Sequence, residues 1–198
     1  EGQVCITASD AMSAYYLPPV LKRIREVAPA IEIEVVAANA LRDLRRREAD
    51  IAIRHVRPEH PDLIAKLVRE TSARLYASTA FLESRGRPTC ASDVSDAPFI
   101  GFEQSGRLLA GLNGRGLTLT KNNFKLVTDS GVAGWEMVKQ GLGIGVMVEE
   151  IAAITPEVEC VLPDLDLFEV PIWLVTHREL HTSRRIRLVF DLLSEALA

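Results

Sequence analysis

The sequence predicts an α/β fold with a small-molecule binding edge, and three observations carry that prediction. Val4-Cys5-Ile6-Thr7 is followed by the polar turn Ser9-Asp10 and a helix entered through Pro18-Pro19. The opening part of the chain then reads β-α-β-α-β. Much later, the run Val138-Lys139-Gln140-Gly141-Leu142-Gly143-Ile144-Gly145 closes a helix and opens a strand. Polar turns between the carboxyl ends of apolar strands and the helices that follow are where open α/β sheets hold ligands.

Taken in order, Val4–Thr7 is apolar and β-prone, and Leu17, Val20, Leu21, Ile24 and Val27 form a helical apolar stripe. Pro29 ends that helix, and Ile31–Val36 is a second strand. Asn39 is placed to cap a short helix whose polar face carries Arg42, Asp43, Arg45, Arg46 and Arg47. A third strand at Asp50–Ile53 completes the order expected of parallel strands joined by right-handed crossovers. After the loop around Pro58 and Pro61 come two strand-like runs, Leu63–Val68 and Arg74–Ala77.

The texture changes near Ser78, where a second lobe is expected to begin. A helix starts at Ala80-Phe81-Leu82, Gly86 and Pro88 break it, and Ser92-Asp93-Val94 forms a short capped segment before a strand at Phe99–Phe102. Gly106, Gly111, Gly114 and Gly116 interrupt the next stretch. Phe124–Val127 returns to strand, Ser130–Gln140 forms a helix ended by Gly141, and Ile144–Val148 is the next strand. Val170–Thr176 supplies a late strand. Thr182 or Ser183 caps a final helix with Ile186, Val189, Phe190, Leu193 and Leu197 on one face.

At 198 residues, 47% hydrophobic and 25% charged, the chain is long enough for one sizeable core or two small lobes. Its apolar stretches fall short of the roughly 20 residues a spanning helix needs, and no basic start leads into an apolar secretory core. Cytoplasmic residence is therefore expected, with no membrane partner. A net charge of −4 supplies no global basic field for nucleic acid. Cys5, Cys90 and Cys160 are odd in number and widely spaced, as neither a disulfide framework nor a zinc site would use them. Neither Cys90 nor Cys160 has a flanking Lys, Arg or His to activate it.

Candidate chemistry concentrates at strand ends. Ser9-Asp10, Asn39-Ala40, Glu103-Gln104-Ser105 and Thr128-Asp129-Ser130 are each a polar cluster directly after an apolar strand. One alone would be a cap or turn; four in the same context point to a ligand site. Free backbone N–H groups there favour an anion, whereas Asp10, Glu103 and Asp129 favour an amine or a polyhydroxylated ligand. Arg54 follows the third strand and suits either a bidentate carboxylate contact or a surface ion pair. The glycine run is no phosphate loop, because it closes a helix instead of opening one; Gly141 as a left-handed cap and Gly143 and Gly145 as close-packing residues account for it. The histidine pairs His55/His60 and His177/His181 lie in two loops, and they form neither a metal site nor a Ser-His-Asp arrangement.

In the order of these elements and motifs, the chain resembles the effector-binding (regulatory) domain of LysR-type transcriptional regulators over essentially its whole length. The opening VCITAS with LPPVLKRIREVAPAIEIEV is similar to the family's first strand, its Leu-Pro helix entry and its second strand. NALRDLRRREADIAI, VKQGLGIGVM and WLVTHRELHTSRRIRLVFDLL resemble later elements in the same order. Where the family usually has a proline after the Gly-hydrophobic-Gly-Ile strand, this chain has Val148-Glu149-Glu150.

The resemblance implies a type 2 periplasmic-binding-protein-like fold, two Rossmann-like α/β lobes joined by two crossover strands. Lobe I would comprise residues 1–77 plus 177–198 and lobe II residues 78–176, and the N-terminal winged helix-turn-helix is expected to be absent from this chain. It implies a small effector in the inter-lobe cleft, touched by Ser9, Asp10, Asn39, Arg54, Phe102, Glu103, Thr128 and Asp129. It implies no catalytic residue, metal or cofactor, self-association as a dimer or tetramer, and DNA contact only through the missing domain. A transporter's solute-binding protein is the alternative on the same fold; an enzyme, such as a dehydratase recruiting Glu103 or Asp129, is a further rival.

Overall fold

A computed structural model describes residues 2–39, 49–103, 106–165 and 168–198. The chain divides into two units, Glu1–Thr71 with Val170–Ala198, and Ser72–Glu169. The expected arginine-bearing helix at 42–47, with Ala40, Gln104 and Ser105, lies outside the described residues.

In the first unit, β1 (Gly2–Ala8) pairs in parallel with β2 (Ile31–Ala37) and β3 (Ile51–Arg54). The late strand β9 (Phe168–His177) runs antiparallel to β3, and the sheet order is β2-β1-β3-β9, followed by β4 (Leu63–Ser78). Helical structure starts at Asp10, ahead of the expected entry at Pro18. Pro18 and Pro19 have no N–H to donate back along the helix, and the ladder is rephased by a π-helical turn, Met12–Tyr16, before α1 (Leu17–Val27). α1 buries Leu17, Val20 and Ile24 against Val4, Ile6, Ile51 and Ile53, and Ile186, Val189, Phe190 and Leu193 of α6 (Arg184–Leu197) join the same core. Each of these apolar side chains contributes about 1.5–3 kcal/mol by leaving water. The apolar stripes read from the sequence are the buried ones.

In the second unit, the later half of β4 pairs antiparallel with β7 (Gly145–Val148) and β8 (Val158–Val161). β5 (Ile100–Phe102) and β6 (Leu126–Thr128) form a parallel pair, and Phe99 bridges to Ile144. Among the described residues, four α-helices complete this unit: α2 (Thr79–Arg85), α3 (Arg107–Asn113), α4 (Gly131–Lys139) and α5 (Glu149–Ala153). Its core gathers Leu75, Leu82, Val94, Phe99, Leu112 and Ile144.

Several expectations need correction. Leu63–Val68 and Arg74–Ala77 are one 16-residue strand, because the polar stretch between them contains neither Gly nor Pro to turn the chain. The two compact units meet at 71/72 and 169/170, and the lobe boundaries expected at 77/78 and 176/177 lie six to seven residues further along the same two strands. Ala73 to Ser78 pair with β7 and β8 of the second unit, while Trp173 to Thr176 pair with β3 of the first. The glycine-interrupted stretch holds α3: Gly111 sits inside it because a Cβ there would lie 3.2 Å from the Phe168 ring. The strand expected at Phe124–Val127 begins two residues later, since Phe124 closes a 3-10 turn and packs its ring 5.7 Å from that of Phe99. α5 and β8 had no counterpart in the sequence reading, and Glu149 and Glu150 occupy the acid-favouring first turn of α5.

Candidate ligand-binding site

Because β1, β2 and β3 are mutually parallel, their carboxyl ends lie at one edge of the first unit, and that edge carries Ser9, Asp10, Asn39 and Arg54. Ser9 Oγ accepts from Met12 N–H (3.3 Å) and its carbonyl from Ser13 N–H (2.9 Å), the behaviour of a helix cap. Asp10 Oδ1 accepts from Ala11 N–H at 2.7 Å, and Asp10 N–H donates to Asn39 Oδ1 at 3.0 Å. That last bond joins two of the polar clusters directly. The register Thr7↔Ala52 carries Arg54 level with Ser9, on the sheet face opposite the core residues Ile51 and Ile53. Arg54 is 6% exposed, so it is a buried residue of this edge and not a solvated one.

At the corresponding strand ends of the second unit, Phe102 pairs with Thr128, and Glu103 N–H extends the ladder to Thr128 O at 3.0 Å. Glu103 has φ 55, in the left-handed region that a non-glycine residue occupies at a cost, and its ladder bond holds it there. Thr128 Oγ1 accepts from Ser130 N–H (3.1 Å), and Ser130 Oγ caps α4 by accepting from Ala133 N–H (3.0 Å). These turns border a cavity of about 400 Å³. Its walls include the buried Ile100, Trp135, Val138 and Met147; its rim includes the exposed Phe102, Glu103 and Arg107. Asp129 is exposed beside the cavity and does not line it.

Glycine creates the close packing behind this space. Gly141 takes φ 77 after α4, a Cβ on Gly143 would lie 2.7 Å from the Pro98 carbonyl oxygen, and one on Gly145 would lie 2.5 Å from Val138 Cγ2. The capping and close-packing roles read from the sequence therefore stand. Trp135 is fixed by its surroundings: Nε1–H donates to Thr155 Oγ1 at 3.3 Å, the Thr155 hydroxyl donates to Ile151 O at 2.7 Å, and Tyr76 meets the indole edge-on at 5.9 Å. Burial, aided by nearby Cys160 and Glu149, pushes the Tyr76 hydroxyl up to about 12, so it stays protonated at neutral pH.

Three of the eight expected residues, Phe102, Glu103 and Thr128, therefore line one cavity, and four gather at the first unit's strand-end edge. The sequence reading missed Arg107, Leu108, Trp135 and Met147, which reach the cavity from three elements, α3, α4 and β7. The only local signal was Gly145, whose missing Cβ marks the close approach of β7 to α4. Among the described residues no three His, Cys, Asp or Glu side chains converge as a metal site would require, and no helix is long and apolar enough to cross a membrane. All three cysteines are free thiols.

Two α/β units, the second with an apolar cavity at parallel strand ends, define a small-molecule-binding domain of the type 2 periplasmic-binding-protein-like class. The chain belongs to the LysR substrate binding domain family, whose model matches residues 1–198. In sequence it is similar to the HTH-type transcriptional regulator CrgA of Neisseria meningitidis serogroup C (strain 8013), 25% identical over 108 residues, covering 54% of this chain and 36% of CrgA. The match thus spans about a third of that relative's length. In structure it is similar to the regulatory domain of CrgA from Neisseria meningitidis, at 20% identity and a TM-score of 0.87 with both chains fully covered. It is also similar to the AmpR effector binding domain from Citrobacter freundii, at 15% identity and a TM-score of 0.80 over all of this chain and 98% of that one. AphB, the virulence activator of Vibrio cholerae, aligns at 21% identity and a TM-score of 0.77 over 98% of this chain and 68% of its own. These comparisons make the chain a LysR-type regulatory, effector-binding domain and do not favour the transporter alternative.

Proposed function

We propose that this domain senses a cytoplasmic small molecule and passes the signal to the DNA-binding part of a longer, self-associating transcriptional regulator, with no catalytic step of its own. The observation that carries this reading is the cavity of about 400 Å³ at the ends of β5 and β6, lined by Phe102, Glu103 and Thr128 in a chain of this family. Ser9, Asp10, Asn39 and Arg54, gathered at the first unit's strand ends, and Asp129 are further proposed effector contacts. A ligand that binds one conformational state better than another shifts their populations, and in an oligomer that shift reaches the attached DNA-binding domains.

A thermal-shift screen of the chain against small carboxylates, amino acids, aromatic acids and sugar acids tests this. Saturation at a hundred times the dissociation constant adds about 2.7 kcal/mol of stability. The expected result is at least one compound whose shift is abolished by Thr128→Ala; shifts indifferent to Thr128→Ala would move the site away from this cavity.

A further inference from the structure

We infer that the second unit's cavity takes a bulky apolar amino acid as a zwitterion, its carboxylate at Arg107, its ammonium at Glu103 and its side chain beside Trp135 and Met147. The inference rests on the reading of this cavity as the effector site and names the ligand's class.

Glu103 and Arg107 carry opposite charges, both line the cavity, and neither makes an ion pair among the described residues. Their positions are set independently. Glu103 is held at the end of β5 by its N–H bond to Thr128 O, and Arg107 is the first residue of α3. A ligand with one negative charge would satisfy Arg107 and be opposed by Glu103; an amine would meet the reverse; a neutral ligand would use neither. Only a ligand carrying both charges matches both groups. Thr128 adds direction: its hydroxyl oxygen accepts from Ser130 N–H at 3.1 Å, which leaves its own O–H to donate to a carboxylate.

The rest of the ligand is defined by what the walls lack. Behind the charged rim stand Ile100, Trp135, Val138 and Met147, which offer apolar contact and no charge. Trp135 spends its one donor on Thr155, so its indole presents only hydrocarbon to the space. A thioether at Met147 adapts to a branched or an aromatic side chain alike. A small polar amino acid would leave this surface wet, so selectivity should favour bulk.

Calorimetric titration of the chain with L-phenylalanine, L-leucine and L-methionine, each beside its des-amino acid and its decarboxylated amine, decides the matter. At least one amino acid should bind tenfold or more tightly than both of its single-charge counterparts. Glu103→Gln should bring its affinity down to that of the des-amino acid, and Arg107→Gln to that of the amine. Both positions are exposed, and circular dichroism confirms that the variants are folded. A des-amino acid or amine that binds as tightly as its parent overturns the inference, as does an affinity unmoved by either substitution or the absence of binding by all three amino acids. If a different compound from the wider screen binds and Thr128→Ala abolishes it, the amino-acid class fails while the sensor reading stands.

Discussion

The two strand-end edges use the same local vocabulary, a hydroxyl or carboxamide directly after a strand, to different ends. In the first unit the turn closes on itself. Ser9 caps the following helix, Asp10 accepts from its neighbour, and Asn39 takes the Asp10 N–H. In the second unit Thr128 and Ser130 satisfy the backbone in the same way, yet the edge also opens on an apolar cavity with Glu103 and Arg107 at its rim. A polar turn after a strand therefore does not by itself mark a ligand site. What distinguishes the second edge is the space behind it, and that space depends on buried residues far from the turn.

The largest expected effect tests that dependence. Trp135 is 2% exposed and walls the cavity. Trp135→Ala should cost about 3–5 kcal/mol in urea unfolding, through lost burial and an enlarged void. Trp135→Phe should retain most of that stability, losing chiefly the bond to Thr155, worth about 1 kcal/mol. If Trp135→Ala left both stability and ligand binding intact, the edge would not need the frame behind it, and the contrast between the units would fail.

A smaller effect separates the two edges directly. Ser9→Ala and Ser130→Ala each remove a helix cap and should each cost about 1 kcal/mol. On ligand binding they should diverge. Ser130 borders the cavity, so Ser130→Ala should weaken any bound effector about fivefold, the equivalent of roughly 1 kcal/mol, and Ser9→Ala should weaken it less. Equal losses of affinity would place both edges on the same footing as effector contacts and sharpen the role proposed for Ser9, Asp10, Asn39 and Arg54.

Periodicity made much of this legible. The stripes of α1 and α6 and the runs of β1, β2 and β3 are local patterns, and burial follows them because each element hides one face. Gly141 and Gly145 were readable because their backbone demands are local too. The elements that stayed hidden depend on tertiary context. Gly111 looks like a helix breaker until Phe168 arrives to occupy the place of its Cβ, and the polar stretch within β4 looks like a turn until both ends find partner strands. The cavity shows the same limit. Thr128 and Glu103 announced themselves as polar residues after strands, but Trp135 and Met147 read as ordinary core, and Arg107 gave no sign that its side chain would share a rim with Glu103.

The smallest effect expected concerns pH. All four histidines lie at 55, 60, 177 and 181, in the first unit, and the two tryptophans divide as Trp173 in the first and Trp135 in the second. His55 is partly buried, with Nδ1 3.1 Å from Pro171 O. Burial holds its pKa below the ordinary value; the Pro171 contact opposes that shift and the neighbouring Arg54 charge reinforces it. The unfolded chain therefore takes up a proton near pH 6.5 that the folded chain does not. The resulting stability is fully present above that value and declines as pH falls toward the lower folded pKa. In a Trp135→Phe protein, where Trp173 is the reporter, the urea midpoint should drop between pH 7 and 5.5, and His55→Gln should reduce that drop. In a Trp173→Phe protein, where Trp135 is the reporter, the same acidification should move the midpoint less. Equal movement at both tryptophans would mean that the two units unfold as one, and the distinction between a self-contained edge and a ligand-ready one would then hold for geometry but not for stability.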